Sequence, residues 1–75
     1  MISGDQVKAA RELLGWSQGE LAKKVRISRV TVGAIERGKS RSSDLALLAL
    51  KGALEAGGIE FTPWGARLRD EKAGP

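Results

Sequence analysis

The stretch from residue 17 to residue 38, SQGELAKKVRISRVTVGAIERG, decides the fold of this chain. Ser17 precedes Glu20 by three positions, which is the spacing of a capping box at the start of a helix. Ser28 can cap a second helix, and Gly38 can end it. Small and apolar residues fall where one helix must cross the other, at Leu21, Ala22, Val25, Ile27, Val32 and Ile35. The stretch therefore predicts two short helices joined by a tight turn, at residues 18–25 and at about residues 29–37.

Positive charge is concentrated in the same region. The 75-residue chain has a net charge of +4. Residues 23–41 carry +6, whereas the rest of the chain carries −2. A localised excess of this kind is typical of a surface that binds a polyanion, because each neutralised phosphate releases condensed counterions. A solvated basic face without a partner is the alternative, and the coincidence of the charge with the helix pair favours the polyanion.

Two further helices flank this pair. Ser3 and Gln6 have capping-box spacing, so the first helix begins at about residue 4, and Gly15 can end it. Asp44 lies in the first turn of a fourth helix, where the helix dipole favours an acidic side chain. This helix runs to about residue 56, where two glycines stop it.

The hydrophobic pattern changes after residue 58. Residues 59–62 alternate apolar and polar, residues 63–65 (Pro-Trp-Gly) form a turn, and residues 66–69 alternate again. This pattern predicts a hairpin or two strand segments. The predicted fold is mostly α, a bundle of four short helices with a C-terminal β-hairpin or strand extension. We assign residues 1–56 to the helical domain and residues 57–75 to a β extension and tail that serves dimerisation.

The composition excludes several kinds of site. The chain has no cysteine and no histidine, so it forms no disulfide and lacks the usual soft ligands of zinc. We therefore expect no metal and no cofactor. No apolar run reaches the roughly 20 residues that span a bilayer, and neither a nucleophile system nor a phosphate-binding loop is present. These features predict a cytoplasmic protein that has no membrane partner and is not an enzyme.

The fourth helix indicates a second copy of the chain. Its apolar residues cover more than one stripe, whereas an amphipathic surface helix needs only one. A domain of this size without disulfides also depends on efficient packing or on a partner. The expected dimer interface consists of Leu47, Leu50, Leu54, Ile59, Phe61 and Trp64. For Trp64, packing in the core or in the dimer is favoured over its alternative, stacking on a nucleic-acid base, and Trp16 is expected in the core.

Three motifs together carry a family resemblance: LLGWSQ at 13–18, ELA at 20–22 and IERGKS at 35–40. With them, residues 6–56 resemble the Xre/Cro family of helix-turn-helix regulators, which includes the lambdoid phage repressors. The resemblance implies a lambda-repressor-like bundle at residues 1–56 that binds double-stranded DNA, and an ion pair between Arg11 and Glu36. The family usually has glycine where this chain has Arg26. Either the backbone is adjusted there, or Arg26 tolerates a strained angle in return for a phosphate contact.

The third helix is the expected recognition helix, with its N-terminal end in the major groove. Arg29 is the first choice for base readout, because arginine can donate two hydrogen bonds to guanine, and a phosphate contact is its alternative. Val30 and Ala34 are placed to contact thymine methyl groups. The full set of expected DNA contacts is Ser17, Gln18, Ser28, Arg29, Val30, Thr31, Ala34, Arg37, Lys39 and Arg41.

The sequence leaves two pairs of alternatives, one for the function of the protein and one for the role of Gly33. The protein is expected to be a homodimeric repressor that binds a palindromic operator. An antitoxin-type autorepressor whose residues 57–75 bind a different protein is the alternative. Gly33, inside the third helix, either permits a close approach to DNA or to another helix, or is a tolerated flaw.

Overall fold

Four helices and one β-hairpin follow one another along the chain. The computed structural model describes residues 2–39 and 44–69. The elements are α1 Gly4–Leu13, α2 Gln18–Val25, α3 Arg29–Glu36, α4 Asp44–Ala56, β1 Ile59–Thr62 and β2 Gly65–Leu68. The predicted mostly helical fold with a C-terminal hairpin is confirmed. No helix in this described part of the chain has the length and apolar character that crossing a bilayer requires.

Serine caps begin the first three helices. The Ser3 hydroxyl accepts the backbone N–H of Gln6 at 3.2 Å, and the Gln6 side chain accepts the Ser3 N–H at 2.8 Å. Ser17 and Glu20 form the same reciprocal pair at 3.0 and 2.9 Å. Ser28 caps α3 through its hydroxyl. Each box satisfies two N–H groups that the helix itself leaves without partners, so these helix starts follow from local sequence.

The turn between α2 and α3 contains a left-handed residue. Arg26 has a φ of 59° and a ψ of 43°, and it is the one non-glycine residue with positive φ among those described. The Ile27 N–H donates to the Ala22 carbonyl at 3.1 Å and closes the turn. A left-handed conformation costs a residue with a side chain roughly 1–2 kcal/mol. Of the two alternatives at Arg26, the strained backbone angle is the one observed.

The core lies where the four helices and β1 converge. Two glycines permit close contacts between the segments of the chain that surround the core. A Cβ atom at Gly4 would lie 2.0 Å from the Ile35 carbonyl oxygen, so α1 begins in direct contact with α3. A Cβ atom at Gly57 would lie 2.7 Å from the Trp16 ring. The buried apolar residues are Ile2, Val7, Ala10, Leu21, Ala22, Val32, Ile35, Leu50, Leu54 and Ile59.

The hairpin pairs within the chain and packs on α1 and α4. Its strands are antiparallel, with Ile59 opposite Leu68 and Thr62 opposite Gly65. The Gln6 side-chain amide donates to the carbonyls of Thr62 and Gly65 at 2.8 and 3.1 Å. An isolated two-stranded hairpin is only marginally stable in water. The contacts with α1 and α4 supply the support that the hairpin needs.

Three residues of the expected dimer interface belong instead to the core of a single chain. Leu50 and Leu54 have 0% of their surface exposed, and Ile59 has 1%. Elements of the same chain enclose them, because α1, α2 and β1 all pack on α4. The prediction that these three side chains contact a second copy is therefore corrected. Leu47 and Phe61 are half-buried against the core.

α4 keeps an apolar outer side. Leu45 is 78% exposed and Leu48 is 55% exposed. Ala49, Gly52 and Ala56 are also exposed on this helix. Burial of Leu50 and Leu54 therefore accounts for only one of the apolar stripes that the sequence predicts on α4.

The two tryptophans have different environments. Trp16 is half-buried and packs against the core, with the Lys24 Nζ 4.5 Å from the centroid of its ring. Trp64 is 89% exposed in the hairpin turn. Core packing of Trp64 is therefore not observed, and its contact with a second copy stays a prediction.

Candidate nucleic-acid interface

α3 has one buried side and one exposed side. Val32 and Ile35 lie in the core, with 0% and 3% of their surface exposed. Arg29 and Arg37 are exposed, and Val30 has 72% of its surface exposed. Because its inner side is anchored in the core, α3 presents its outer side on a rigid support.

The N-terminal end of α3 is organised by its own hydroxyl groups. The Ser28 hydroxyl accepts the Thr31 backbone N–H at 3.0 Å, and the two side-chain hydroxyls lie 2.8 Å apart. Ser28 and Thr31 therefore hold each other in place. Between them, Arg29 and Val30 project from the first turn of the helix, both exposed.

The side chain of Arg29 runs along the start of α2. Its Cδ lies 3.8 Å from the point that a Cβ atom on Gly19 would occupy. The start of α3 therefore contacts the start of α2 through the Arg29 side chain. Within residues 2–39 and 44–69, the Arg29 guanidinium has no hydrogen-bond or ion-pair partner. Local sequence gives no sign of this contact, because Gly19 and Arg29 belong to different helices and only the fold brings them together.

Gln18 braces α3. Its Nε2 donates to the Glu36 carboxylate at 3.0 Å. The Gln18 amide atoms also lie 3.5 Å from the point that a Cβ atom on Gly33 would occupy, and an Arg37 guanidinium nitrogen lies 3.2 Å from the same point. The space beside Gly33 is thus filled by the ends of two polar side chains, so a close approach to another helix does not explain this glycine.

Glu36 is the acceptor at the centre of a buried polar network. Arg11 donates to both of its carboxylate oxygens, from Nε at 2.7 Å and from a terminal nitrogen at 3.1 Å. The other terminal nitrogen of Arg11 donates to the Trp16 carbonyl at 2.8 Å. The network joins α1, the start of α2 and the end of α3, and so fixes the position of α3 against the two helices that precede it.

Glu36 remains ionised in this setting. Burial by itself raises the pKa of a carboxyl group, but the hydrogen bonds from Arg11 and Gln18 outweigh burial, so the pKa of Glu36 lies below its ordinary value. The hydrogen bond to Glu36 raises the pKa of Arg11. Both groups are thus charged and paired, which fits a structural role for the two residues.

Exposed basic side chains extend from α2 to the segment after α3. Those in the described residues are Lys23, Lys24, Arg26, Arg29, Arg37 and Lys39. Arg41, also expected from the sequence to contact DNA, lies outside the described residues. Ser17 is exposed as the cap of α2, and Ala34 is half-buried one turn after Val30.

Comparison with known proteins identifies the helical unit. No curated protein matches the chain. A family model described as Helix-turn-helix matches residues 7–57, which includes all four helices except the first three residues of α1. This match covers more than half of the chain. The chain therefore belongs to the family of Xre/Cro-type helix-turn-helix regulators, whose members bind DNA in transcriptional regulation.

Proposed function

We propose that this protein is a repressor that binds a palindromic duplex operator as a homodimer, with α3 as its recognition helix. The exposure of Arg29 and Val30, on a helix whose inner side lies in the core, carries the proposal. A helix that is both rigid and accessible can enter the major groove, where base edges are distinguishable. The net charge of +6 over residues 23–41 supplies attraction to the phosphates.

Arg29 reads a base, and the surrounding polar groups set the register. Its guanidinium can donate two parallel hydrogen bonds to guanine, and its position over Gly19 limits the directions in which it can point. Positioning on the phosphates falls to the exposed or partly exposed groups around it. These are Ser17, Gln18, Ser28, Thr31, Arg37 and Lys39. Arg41, a phosphate contact expected from the sequence, belongs to the same proposal.

The homodimer places two copies of α3 on one face of the duplex. Two recognition helices related by a two-fold axis reach successive major grooves about 34 Å apart. The exposed apolar side of α4, with Leu45 and Leu48, supports self-association, and Leu47, Phe61 and Trp64 extend the same proposal. With Leu50, Leu54 and Ile59 in the core, the interface rests on these outer residues.

Selection from a random duplex pool tests the proposal. The chain should enrich an inverted repeat whose half-sites are separated by about one helical turn, 10–10.5 base pairs from centre to centre. Light scattering of the free chain should give the mass of a dimer. Replacing both Leu45 and Leu48 with Lys should give a monomer that retains its helical circular dichroism. Enrichment of no sequence, or a single unrepeated half-site bound by a monomer, would contradict the proposal.

Trp64 favours a second candidate function. An indole group that is 89% exposed in a hairpin turn is an apolar anchor that a different protein could bury. In that case the chain is an antitoxin-type autorepressor whose hairpin binds a partner protein. Dimer mass measured for Trp64→Ala separates the candidates: loss of the dimer assigns Trp64 to self-association, whereas an unchanged dimer leaves it available for another protein.

A further inference from the structure

We infer that the cleft between α1 and the hairpin turn binds an arginine side chain of a partner protein. This inference rests on the second candidate function, in which the hairpin meets a different protein, and it names the chemistry of that partner. The cleft has a volume of about 460 Å³, within the range of roughly 300–1,000 Å³ that is typical of ligand pockets. Its walls include Asp5, Gln6, Ala9, Pro63, Trp64 and Gly65.

Gln6 fixes the two sides of the cleft relative to each other. Its amide nitrogen donates to the carbonyls of Thr62 and Gly65, which flank the two turn residues of the hairpin. Its amide oxygen accepts the Ser3 N–H at the start of α1. The hairpin turn is therefore held against the first turn of α1 before a ligand binds, and a preformed site loses less entropy on binding.

Asp5 and Trp64 give the cleft its affinity for a cation. Asp5 is exposed, and it is the one charged residue among those that line the cleft. In the part of the chain that the structure describes, its carboxylate has no hydrogen-bond or ion-pair partner. The Trp64 indole is 89% exposed, and tryptophan is the aromatic side chain that attracts cations most strongly.

Arginine fits these two groups better than lysine does. Its planar guanidinium stacks on an aromatic ring and donates two parallel hydrogen bonds to a carboxylate, whereas the lysine ammonium is a compact and strongly hydrated point charge. The apolar stem of an arginine can lie along Ala9 and Pro63, which also line the cleft. The chemistry of the cleft therefore favours a guanidinium group.

The arginine comes from a different protein, because this chain has none to offer. Arg11 is held in its buried ion pair. Arg67 pairs with Glu60 across the hairpin at 2.9 Å, and Arg69 donates to a backbone carbonyl near the end of α4. Every other arginine of the sequence lies in residues 23–41, the basic segment assigned to DNA. A second copy that placed one of these in the cleft would withdraw it from the duplex.

The cleft is separate from the surface assigned to DNA. α1 begins against the carbonyl of Ile35, near the end of α3, whereas Arg29 and Val30 lie in the first turn of α3. α3 has eight residues, which corresponds to a length of about 12 Å. The hairpin also lies outside residues 7–57, the helix-turn-helix unit. Partner binding in the cleft is thus an addition to the DNA-binding unit.

Titration of the full chain with N-acetyl-arginine methylamide tests the inference. The indole N–H resonance of Trp64 in the NMR spectrum should shift and saturate, whereas that of Trp16, whose ring Lys24 covers, should not. The citrulline analogue has the same length without the charge and should bind about tenfold more weakly. The lysine analogue should bind several-fold more weakly. Equal binding of the three compounds would exclude guanidinium recognition.

Substitutions assign the binding to the cleft. Asp5→Asn should weaken arginine binding about tenfold, and Trp64→Leu about threefold to fivefold. Both side chains are exposed, so the variants should keep their fold, which circular dichroism checks. Asp44→Asn is the matched control, because Asp44 is also an exposed acid in the first turn of a helix, and it should leave arginine binding unchanged. Equal losses in Asp5→Asn and Asp44→Asn would reduce the effect to overall charge and overturn the inference.

Two further measurements identify the source of the arginine. Random peptides selected on the full chain, after removal of those that also bind Asp5→Asn, should share an arginine, and a selection without arginine would contradict the inference. Light scattering in saturating N-acetyl-arginine methylamide should give an unchanged mass. A dimer that dissociates under these conditions would assign the cleft to a second copy of the chain.

None of these measurements uses DNA. A Trp64 resonance that does not shift would overturn the inference and leave operator binding standing, whereas failure of the duplex selection would leave arginine binding in the cleft standing. Loss of the dimer in Trp64→Ala would overturn the second candidate function and this inference together.

Discussion

Arg11 and Glu36 form a two-pronged ion pair that joins α1 to the last residue of α3. The two hydrogen bonds measure 2.7 and 3.1 Å, and the Arg11 and Glu36 side chains are 12% and 3% exposed. Gln18 donates to the same carboxylate, and Arg11 also donates to the carbonyl before Ser17. The pair therefore holds α3 against the two elements that precede it.

Loss of one partner from this pair should destabilise the protein strongly. Arg11→Met leaves a buried carboxylate without its cation, and we expect a loss of about 3–5 kcal/mol in the free energy of unfolding. Urea titration followed by circular dichroism measures it. The double variant Arg11→Met/Glu36→Leu buries no unpaired charge and should recover most of the loss. A double variant as unstable as the single one would show that the hydrogen bonds, and not the stranded charge, dominate.

The stability of the protein should fall in acid because of Glu36. Folding lowers the pKa of this carboxyl, so its contribution is fully present above the unfolded-state value of about 4.3 and is lost as the pH falls through the folded-state value. Free energies of unfolding between pH 2.5 and 7 should show this decline. Glu36→Gln should flatten the profile below pH 4.5, and Arg11→Met/Glu36→Leu should match it. If the free energy of unfolding of both variants falls with decreasing pH as steeply as that of the unaltered protein, groups other than Glu36 cause the acid sensitivity.

Replacement of Arg26 by glycine should stabilise the fold. The φ of 59° is strained for arginine and readily accessible to glycine, so Arg26→Gly should raise the free energy of unfolding by about 1 kcal/mol. Gly38→Ala provides the opposite control, because Gly38 has a φ of 70° and a Cβ atom there should cost about 1 kcal/mol. Thermal and urea unfolding should both find Arg26→Gly more stable, and Gly38→Ala less stable, than the unaltered protein. A less stable Arg26→Gly would mean that the arginine side chain stabilises the turn.

Gly4 should not tolerate a side chain, whereas Gly52 should. A Cβ atom at Gly4 would lie 2.0 Å from the backbone oxygen of Ile35, so Gly4→Ala must displace α1 from α3 and should cost about 2 kcal/mol or more. Gly52 lies inside α4 with nothing within 4 Å of the same point. Gly52→Ala should therefore stabilise the protein by about 0.5–1 kcal/mol through helix propensity. Equal effects at the two positions, measured by urea unfolding, would contradict the close contact at Gly4.

Arg29→Ala should reduce specific DNA binding far more than non-specific binding. Loss of a two-pronged contact to guanine should cost about 1–3 kcal/mol on the selected duplex, whereas binding to an unrelated duplex should weaken only slightly. Fluorescence anisotropy at fixed salt measures both affinities. Lys8→Ala removes one exposed positive charge from α1 and serves as the control, with little effect on either duplex. Equal losses on the two duplexes for Arg29→Ala would make Arg29 a phosphate contact.

Local sequence was sufficient to predict the elements of this fold. The starts of α1, α2 and α3 depend on Ser3, Ser17 and Ser28, whose capping bonds reach only three residues along the chain. The hairpin follows from alternation around a short turn. The concentration of positive charge at residues 23–41 was equally visible, because charge needs no fold to be counted.

Tertiary structure alone decided which apolar residues of α4 are buried. Leu45, Leu48, Leu50 and Leu54 are alike in chemistry, and helical periodicity allows more than one inward side. The packing of α1, α2 and β1 on α4 encloses Leu50 and Leu54 and leaves Leu45 and Leu48 outside. Similarly, only the folded chain brings the Gln18 amide to Glu36 and the Arg29 stem beside Gly19. Capping bonds act between near neighbours in sequence, whereas burial depends on which distant segments meet. The sequence by itself therefore determined where the helices form, and tertiary packing decided which side of each helix is buried.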